Sequence, residues 1–335
     1  MAKSRLSVAV VQGGPSTEAE VSRASADGVA RALAEAGHRP VRLELDGFLA
    51  ESLRTGGYDV VFPVVHGAVG EDGSLQGLLE VLDLAYVGSG VLASALAMHK
   101  RVARVLFERA GLPVAPGLAL PRAGGPGAAR AAAERARSEL GPAIVVKPSS
   151  HGSAIGVTRL EGDAPLADAI AAIDAVWQLD DFAVAEQFAR GREVTCGVLE
   201  GDSGPVALPP TEIQSPHDPF YTFAARYAPG RSVHICPANL PASLVQRVQE
   251  VAVAAHVTLG CRDLSRVDFV VGSEGDERPV TLLEVNTLPG MTSTSLFPEA
   301  AAVHGLAMQR LCDALVTRAH ARGPASRAQP QALPR

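Results

Sequence analysis

Two short apolar segments near the C-terminus decide the fold, and they read Ser265-Arg-Val-Asp-Phe-Val-Val271 and Val280-Thr-Leu-Leu-Glu-Val-Asn286. Both have the length and the valine and leucine content of buried strands. The stretch between them is polar and contains glycine and proline, as connecting loops do. The sequence therefore predicts a pair of strands joined by a loop.

Four polar side chains interrupt this predicted strand pair. Because side chains alternate between the faces of a strand, Arg266 and Asp268 share one face, and so do Glu284 and Asn286. Two carboxylates and an amide oxygen suit Mg²⁺, with phosphate oxygens and water completing its shell. Alternatively, the acids end the strands or pair with Arg266. That pairing would leave one of the two buried carboxylates without a positive partner. A bound cation would balance the remaining negative charge.

The first hundred residues alternate strand and helix, which predicts βαβ units and a parallel sheet. Ligands of such sheets bind at the carboxyl ends of the strands, here the loops Gln12–Thr17 and His66–Gly73. The predicted strands are Leu6–Val11, Val41–Leu45 and Val60–Val65, and the predicted helices are Glu18–Ala36 and Leu75–Leu82.

Further elements are predicted along the rest of the chain. Helices are expected at Val91–Ala110, Ala129–Leu140 and Ser243–Leu259, and strands at Ala143–Lys147, Phe182–Gln187 and Glu193–Leu199. The proline-rich stretch Ser203–Tyr227 is expected to be irregular, and the tail from about residue 321 to 335 to be disordered.

Composition excludes several classes of function. The net charge of −6, with both signs interspersed, offers no basic surface for nucleic acid. No apolar stretch reaches the roughly 18 residues that span a bilayer, so no membrane association is expected. The cysteines form no C-x-x-C pair, which fits a reducing compartment, and we expect the protein to be cytoplasmic. They are Cys196, Cys236, Cys261 and Cys312.

A lysine at a predicted strand end opens the segment Lys147-Pro-Ser-Ser-His-Gly-Ser-Ala-Ile-Gly156. Its charge and the backbone N–H groups near the glycines could bind phosphates, although the segment is not a Walker A sequence. An ordinary hairpin is an equal alternative. Lys100, on a predicted helix, is a weaker phosphate-binding candidate.

A second loop, Asn286-Thr-Leu-Pro-Gly-Met-Thr-Ser-Thr-Ser-Leu296, follows the last predicted strand. Gly290 would allow close backbone approach, and the hydroxyls of Ser293 and Ser295 could bind a carboxylate before a helix. The alternative is a loop that only caps the helix. Two further residues stay open: Glu18 either complements a helix dipole or binds an ammonium, and His66 is either structural or part of a site.

Taken in order, these segments resemble the D-alanine–D-alanine ligases of the ATP-grasp superfamily, from about Val8 to Leu315. The resemblance implies an α/β fold, α+β in the ATP-binding part, with a Rossmann-like parallel-sheet domain at 1–98. Domains at 99–189 and 190–320 would clamp ATP. The segments that carry the resemblance are Gly13-Gly-Pro-Ser-Thr-Glu-Ala-Glu-Val-Ser22, His66-Gly-Ala-Val-Gly-Glu-Asp-Gly-Ser-Leu-Gln-Gly77, Tyr86-Val-Gly-Ser-Gly90 and Leu283-Glu-Val-Asn-Thr-Leu-Pro-Gly-Met-Thr-Ser293.

The resemblance also implies roles for individual residues. The implied metal ligands for two Mg²⁺ (or Mn²⁺) ions are Asp268, Glu284 and Asn286. The implied ATP-binding residues are Lys100, Lys147, Ser153, Glu186, Gln187, Ala189, Glu193, Arg226 and Asn286. The implied D-alanine-binding or catalytic residues are Glu18, His66, Ser153, Tyr227, Arg266, Gly290, Ser295 and Leu296.

The implied reaction joins two D-alanines for peptidoglycan synthesis. The first carboxylate would attack ATP to give an acyl phosphate, and the second amine would displace the phosphate. The implied partners are D-alanine, ATP and a second copy in a homodimer. The alternatives are a paralogue with another acceptor (D-serine, D-lactate or a specialised-metabolite amine) and a non-catalytic nucleotide-binding protein.

The sequence departs from the family pattern around ATP and the lid that would close over it. The lid reads Phe220-Tyr-Thr-Phe-Ala-Ala-Arg-Tyr227, where relatives commonly have Phe-Tyr-Asp-Tyr-Glu-Ala-Lys-Tyr. Arg226 replaces a lysine, and Thr222 and Ala224 replace acids. His151 and His99 also stand where acids are usual. These changes leave the choice of second substrate open.

Overall fold

Three β-sheets follow one another along the chain, and helices pack against them. The computed structural model describes residues 5–217, 221 and 230–324. The first sheet is parallel, with order β2-β1-β3, which confirms the parallel sheet predicted from the alternation. Its strands are β1 (Ser7–Gln12), β2 (Arg39–Glu44) and β3 (Val60–Pro63). The helices of this part are α1 (Ala19–Glu35), α2 (Leu49–Thr55), α3 (Ser74–Val81) and α4 (Val91–Met98), of which α2 was not predicted.

The second sheet is antiparallel and has the order β4-β7-β5-β6. Its strands are β4 (Gly117–Pro121), β5 (Ile144–Pro148), β6 (Thr158–Leu160) and β7 (Phe182–Gln187). The accompanying helices are α5 (Lys100–Arg109), α6 (Ala128–Leu140) and α7 (Leu166–Trp177). The predictions of β5, β7 and α6 are confirmed, whereas β4, β6 and α7 were missed.

The third sheet holds the strand pair that opened the sequence analysis. Its order is β11-β10-β8-β12-β13, and β9 pairs with β8. Its strands are β8 (Arg192–Gly201), β9 (Gly204–Ala207), β10 (Thr211–Gln214), β11 (Val233–Ile235), β12 (Leu264–Val271) and β13 (Val280–Asn286). The helices are α8 (Ala242–Leu259), α9 (Leu296–Val303) and α10 (Met308–Arg322). The domain bounds themselves stay a prediction.

Two predictions about single segments are wrong, and a third is tested only at its first residues. The helix Val91–Ala110 breaks at His99, whose φ of −89° and ψ of 89° leave the helical region, so α4 and α5 are separate. The supposedly irregular stretch Ser203–Tyr227 contains β9 and β10; Pro205 lies in β9, which pairs only with β8, and Pro209 and Pro210 lie in the link between the two strands. The tail is helical through Arg322; residues 325–335 lie outside the described part of the chain.

The C-terminal helix α10 completes the core beneath the first sheet. Leu311, Leu315 and Ala319 of α10 are buried in one cluster with Val29 and Leu33 of α1.

None of the helices among the described residues combines the length and apolar character that crossing a membrane requires. The four cysteines are free, and burial raises the pKa of the thiols of Cys261 and Cys312 to about 12.

A buried ion pair fastens the end of α10 to the residue that precedes β12. Asp263 is fully buried, and both its oxygens lie within 2.8 Å of the Arg322 guanidinium. We expect Arg322→Met to lower the free energy of unfolding by about 3 to 5 kcal/mol, because the Asp263 carboxylate loses its cation. Urea denaturation measures this change.

The matched control for this prediction is Arg318→Met on the same helix. Arg318 pairs with the fully exposed Asp202, so the change should cost no more than about 1 kcal/mol. Equal losses from the two variants would contradict the role assigned to the buried pair.

Candidate active site

The strands β12 and β13 pair as the sequence predicted, and their register brings the four polar side chains together. The pair is antiparallel, with Asp268 opposite Glu284 and Arg266 opposite Asn286. Directly opposed residues project from the same face of a sheet. The two carboxylates, the amide and the guanidinium therefore share one face.

Protein cations neutralise both carboxylates. Nε and Nη2 of Arg266 donate to Oδ1 and Oδ2 of Asp268 at 2.9 Å each, and Thr195 Oγ1 donates to Oδ1 at 2.6 Å. Burial alone would lower the pKa of Arg266, but the charge and hydrogen bonds of Asp268, with smaller contributions from Tyr221 and Glu284, together outweigh burial and raise it. Glu284 Oε2 lies 2.9 Å from Lys100 Nζ. The pairing of an acid with Arg266, which the sequence left open, thus occurs for Asp268. Lys100 of α5 pairs with the second acid, Glu284.

The donor set suits a hard divalent cation. It comprises the carboxylates of Asp268 and Glu284 and the amide oxygen of Asn286, all of which are oxygen donors. Within residues 5–217, 221 and 230–324, no group of three or more His, Cys, Asp or Glu residues has the arrangement of a metal site. The protein alone therefore supplies part of a coordination shell, and a nucleotide's phosphate oxygens would supply more.

A cavity of about 470 Å³ opens beside Arg266. The loops after β1 and β3 form one wall, and Ser16 Oγ joins them by donating to the carbonyl of His66 at 2.8 Å. Glu18 is buried in this wall and accepts a hydrogen bond from Ser153 Oγ at 2.5 Å. The predicted substrate residues that line the cavity are Glu18, His66, Ser153, Arg266, Gly290, Ser295 and Leu296.

The opposite wall depends on a glycine. A Cβ atom at position 290 would lie 2.8 Å from Ser295 Oγ, so a larger residue there would displace the Ser295 hydroxyl. Ser295 Oγ in turn accepts a hydrogen bond from the backbone N–H of Thr292 at 3.1 Å. This contact fixes Ser295 at the N-terminus of α9, next to the backbone of Gly290.

A second, narrower cavity of about 110 Å³ lies between the second and third sheets. In its wall, Glu186 Oε2 lies 2.7 Å from Lys147 Nζ, and Glu186 Oε1 lies 3.0 Å from Arg104 Nη1. Burial would raise the pKa of Glu186, but the two cations outweigh burial and lower it. Glu186 therefore stays ionised and holds Lys147 at the cavity.

Another carboxylate, Glu193, lies in the wall of the second cavity. Its Oε1 lies 2.6 Å from Arg159 Nη2, and its two oxygens accept the backbone N–H of Tyr221 at 3.2 and 3.3 Å. Tyr221 is buried and lines both cavities. The Glu193 carboxylate thus connects the second cavity with the wall of the larger cavity.

The two cavities meet at Lys100 and Glu284, which line both. The break at His99 makes this possible, because it puts Lys100 at the start of α5. There its backbone N–H donates to the carbonyl of Ser149 at 2.8 Å. Its Nζ donates to the carbonyl of His151 at 2.7 Å, so Lys100 also holds the loop that follows β5.

Every site residue that the resemblance implies within the described ranges lines one of the two cavities. Ser293, the other candidate hydroxyl of the loop after β13, lines neither of them and lies in the wall of a third cavity. The individual roles stay predictions. Tyr227 and Arg226, with the neighbouring substitutions Thr222 and Ala224, lie outside the described residues.

Sequence reasoning missed four charged or polar residues of this region. Arg104 has a signal in its spacing from Lys100, since residues four apart share a helix face. Glu71 lies in the quoted segment after His66, but nothing in the sequence marked it as buried. Arg159 and Thr195 have no sequence signal, because Arg159 reaches Glu193 from a different sheet and only the pairing of β8 with β12 brings Thr195 to Asp268.

Known families and structures agree with this geometry. Two family profiles match the chain: "D-ala D-ala ligase N-terminus" over residues 48–89 and "D-ala D-ala ligase C-terminus" over residues 106–317. The D-alanine–D-alanine ligase of Desulforamulus reducens is 41% identical over 313 residues, 93% of this chain and 97% of the relative. That of Parvibaculum lavamentivorans is 42% identical over 317 residues, again 93% and 97% of the two chains.

A solved structure gives the same result for the fold. The D-alanine–D-alanine ligase from Bacillus anthracis complexed with ATP has a TM-score of 0.77 at 26% identity, covering 95% of this chain and 98% of that one. The predicted ATP-grasp fold, with its N-terminal parallel sheet, is confirmed by this likeness. The chain belongs to the D-alanine–D-alanine ligase family.

Proposed function

We propose that this protein joins two D-alanines into D-alanyl-D-alanine at the expense of ATP, for peptidoglycan synthesis. One observation carries the proposal: the narrow cavity and the larger cavity meet at Lys100 and Glu284. A nucleotide in the narrow cavity would present its terminal phosphate at that point. A small amino acid in the larger cavity would present its carboxylate to the same point, which is the encounter that carboxyl activation requires.

The first step forms the acyl phosphate. Glu18, buried beside Ser153, binds the ammonium of the first D-alanine, and the carboxylate of that D-alanine points towards Lys100. Lys147 and Lys100 hold the phosphates of ATP. A carboxylate oxygen attacks the γ-phosphorus, the bond to the bridging oxygen breaks, and ADP leaves. The transfer needs no covalent intermediate with the protein. These residues therefore act by positioning the reactants and by compensating their charge.

Asp268, Glu284 and Asn286 would hold two Mg²⁺ or Mn²⁺ ions at this junction. When bound, such ions supply charge stabilisation to the transferring phosphoryl group. On nucleotide binding, Lys100 would exchange its contact with Glu284 for one with phosphate. Glu186, Gln187, Ala189 and Glu193 would bind the adenosine part, and Arg226 the phosphates.

The second step forms the amide. Ser295 and Leu296 bind the second D-alanine, and its amine attacks the acyl carbon. Arg266 and the N–H of Gly290 donate to the oxygen that becomes negative in the tetrahedral intermediate. One such donor is typically worth about 3 to 4 kcal/mol of barrier. Water must stay out, because the acyl phosphate hydrolyses, and Tyr227 is proposed to contribute to that exclusion together with Ser153.

The cellular setting is part of the same proposal. We propose a cytoplasmic homodimer in which residues 1–98, 99–189 and 190–320 form separate domains. The four free cysteines support a reducing compartment. Family resemblance supports the dimer.

ADP release measured across a panel of acceptors tests the proposed function. We expect ATP turnover to need D-alanine and magnesium, and mass spectrometry to identify D-alanyl-D-alanine. D-serine, D-lactate or another amine as the preferred second substrate would establish the paralogue instead. ATP binding without turnover on any of these would leave only the non-catalytic alternative and refute the ligase.

A further inference from the structure

The loop between β5 and β6 contributes to both cavities and has a strained backbone. Ser153 of this loop lines the larger cavity, and Ala154 lines the narrow one. Neither residue is a glycine, yet both have left-handed backbones, with φ angles of 51° and 58°. Residues with a side chain adopt this conformation at a cost in free energy, so the surrounding structure must hold the β5–β6 loop in place.

A buried carboxylate holds the start of the β5–β6 loop. The side chain of Asp180 is 6% exposed. Its Oδ2 accepts the backbone N–H of Ser150 at 2.7 Å and the Ser150 hydroxyl at 2.6 Å. Its Oδ1 accepts the backbone N–H of Phe182, the first residue of β7, at 2.9 Å. Asp180 therefore joins the loop to the strand that carries Glu186.

The charge of Asp180 works against a neighbouring phosphate. Burial would raise the pKa of Asp180, but the hydrogen bonds from Ser150 and Phe182 and the charge of His151 outweigh burial and lower it. Asp180 is therefore an anion at neutral pH, and an anion repels the phosphates of a nucleotide. Any benefit of Asp180 to nucleotide binding must come from the hydrogen bonds that it accepts.

We propose that Asp180 is a positioning residue for the nucleotide phosphates, and that it acts through Ser150 by fixing the β5–β6 loop where the two cavities meet. This role rests on the proposed function. Lys100 also holds the loop, through the carbonyls of Ser149 and His151. Because the Lys100 ammonium would turn to phosphate in the nucleotide complex, the contacts of Asp180 are the ones that hold the loop both before and after binding.

The substitution Asp180→Asn disturbs these contacts with almost no change in shape. A side-chain amide has one acceptor oxygen and one NH₂ group. In either orientation, the NH₂ group would face the backbone N–H of Ser150 or of Phe182, and that hydrogen bond would be lost. Removal of the negative charge alone would tighten nucleotide binding, whereas loss of the loop position would weaken it. The direction of the change therefore separates the two effects.

Calorimetric titration with magnesium and AMP-PNP, a non-hydrolysable ATP analogue, measures this direction. We expect Asp180→Asn to bind AMP-PNP about 10- to 100-fold more weakly than wild type, as for lost hydrogen bonds to a charged group. AMP lacks the β- and γ-phosphates and should bind both proteins equally in saturation-transfer NMR, which also shows that the variant folds. The matched control is Asp181→Asn, which should bind AMP-PNP like wild type, since Asp181 is 81% exposed and lies 3.9 Å from Arg122.

A double-mutant cycle tests whether Asp180 acts through Ser150. Ser150→Ala removes only the hydroxyl hydrogen bond and should weaken AMP-PNP binding less than Asp180→Asn does. Added to Asp180→Asn, it should cause little further loss, because the shared contact is already gone. Losses that simply add would show that the two residues act independently and would overturn the positioning role.

Two other outcomes would also overturn it. Parallel losses of AMP-PNP and AMP binding by Asp180→Asn would show a general structural defect, and unchanged or tighter AMP-PNP binding would show that the loop needs no carboxylate. The proposed function fails on a different result. Wild-type protein that binds AMP-PNP but does not turn over ATP with D-alanine would refute the ligase, and the comparison of the Asp180 variants would still be readable.

Discussion

Replacing Asp268 with asparagine is expected to reduce D-alanine-dependent ADP release by about 10³-fold or more, a barrier increase of about 4 kcal/mol. The change removes one of the two carboxylates that the β12–β13 register places opposite each other. It also removes the partner of Arg266, which donates to both Asp268 oxygens at 2.9 Å. Steady-state assays over a range of Mg²⁺ concentrations measure the loss.

The dependence on metal separates the two consequences of this substitution. If Asp268 binds the cation, the variant should need more Mg²⁺ for half-maximal rate. If it serves only to hold Arg266, that concentration should not change. The matched control is Asp276→Asn, at the far end of the same strand pair, where the side chain accepts only the backbone N–H of Ser273. A control variant that lost as much activity as Asp268→Asn would contradict the assignment.

Replacing Arg266 with methionine is expected to slow dipeptide formation by about 10²- to 10³-fold, because one oxyanion donor is lost. The substitution also leaves Asp268 without its guanidinium, so unfolding should become easier by a few kcal/mol. Arg266→Lys keeps the charge but not the two-point contact, and it should fall between wild type and Arg266→Met. Rates of dipeptide formation and urea denaturation measure these effects.

Isotope exchange tells which step Arg266 serves. Scrambling of labelled oxygen between the bridging and terminal positions of ATP reports acyl phosphate formation alone. We expect Arg266→Met to scramble label much faster than it forms dipeptide. The control Arg262→Met should leave both rates near wild type, since Arg262 contacts the Gly88 carbonyl and the Tyr86 ring instead. Scrambling that falls in step with dipeptide formation would refute the oxyanion role.

The parts of the site that could be predicted from sequence depend on local periodicity. Alternation along two adjacent strands was enough to place Asp268 and Glu284 on a shared face, and the strand–helix alternation was enough for the first sheet. Each of these two signals comes from residues that lie close to one another in the chain. The resemblance then added roles for residues such as Lys147 whose own sequence context was ambiguous.

The features that could not be predicted depend on contacts between distant segments. The helix break at His99 is stabilised by the Lys100 N–H bonding Ser149, which is 49 residues further on and leaves no periodic trace. The buried Asp263–Arg322 pair likewise joins two separate elements. Burial in the assembled cavity raises the pKa of Glu71 to about 8, and single-sequence reasoning could not provide that burial.

Manganese binding to the protein with a non-hydrolysable ATP analogue tests the central claim most directly. Electron paramagnetic resonance titration counts bound Mn²⁺ in wild type and in Asp268→Asn. We predict nucleotide-dependent binding of two ions in wild type and clearly weaker binding in the variant. Equal manganese binding by both proteins, or none that depends on nucleotide, would contradict a metal site formed by β12 and β13 beside the triphosphate.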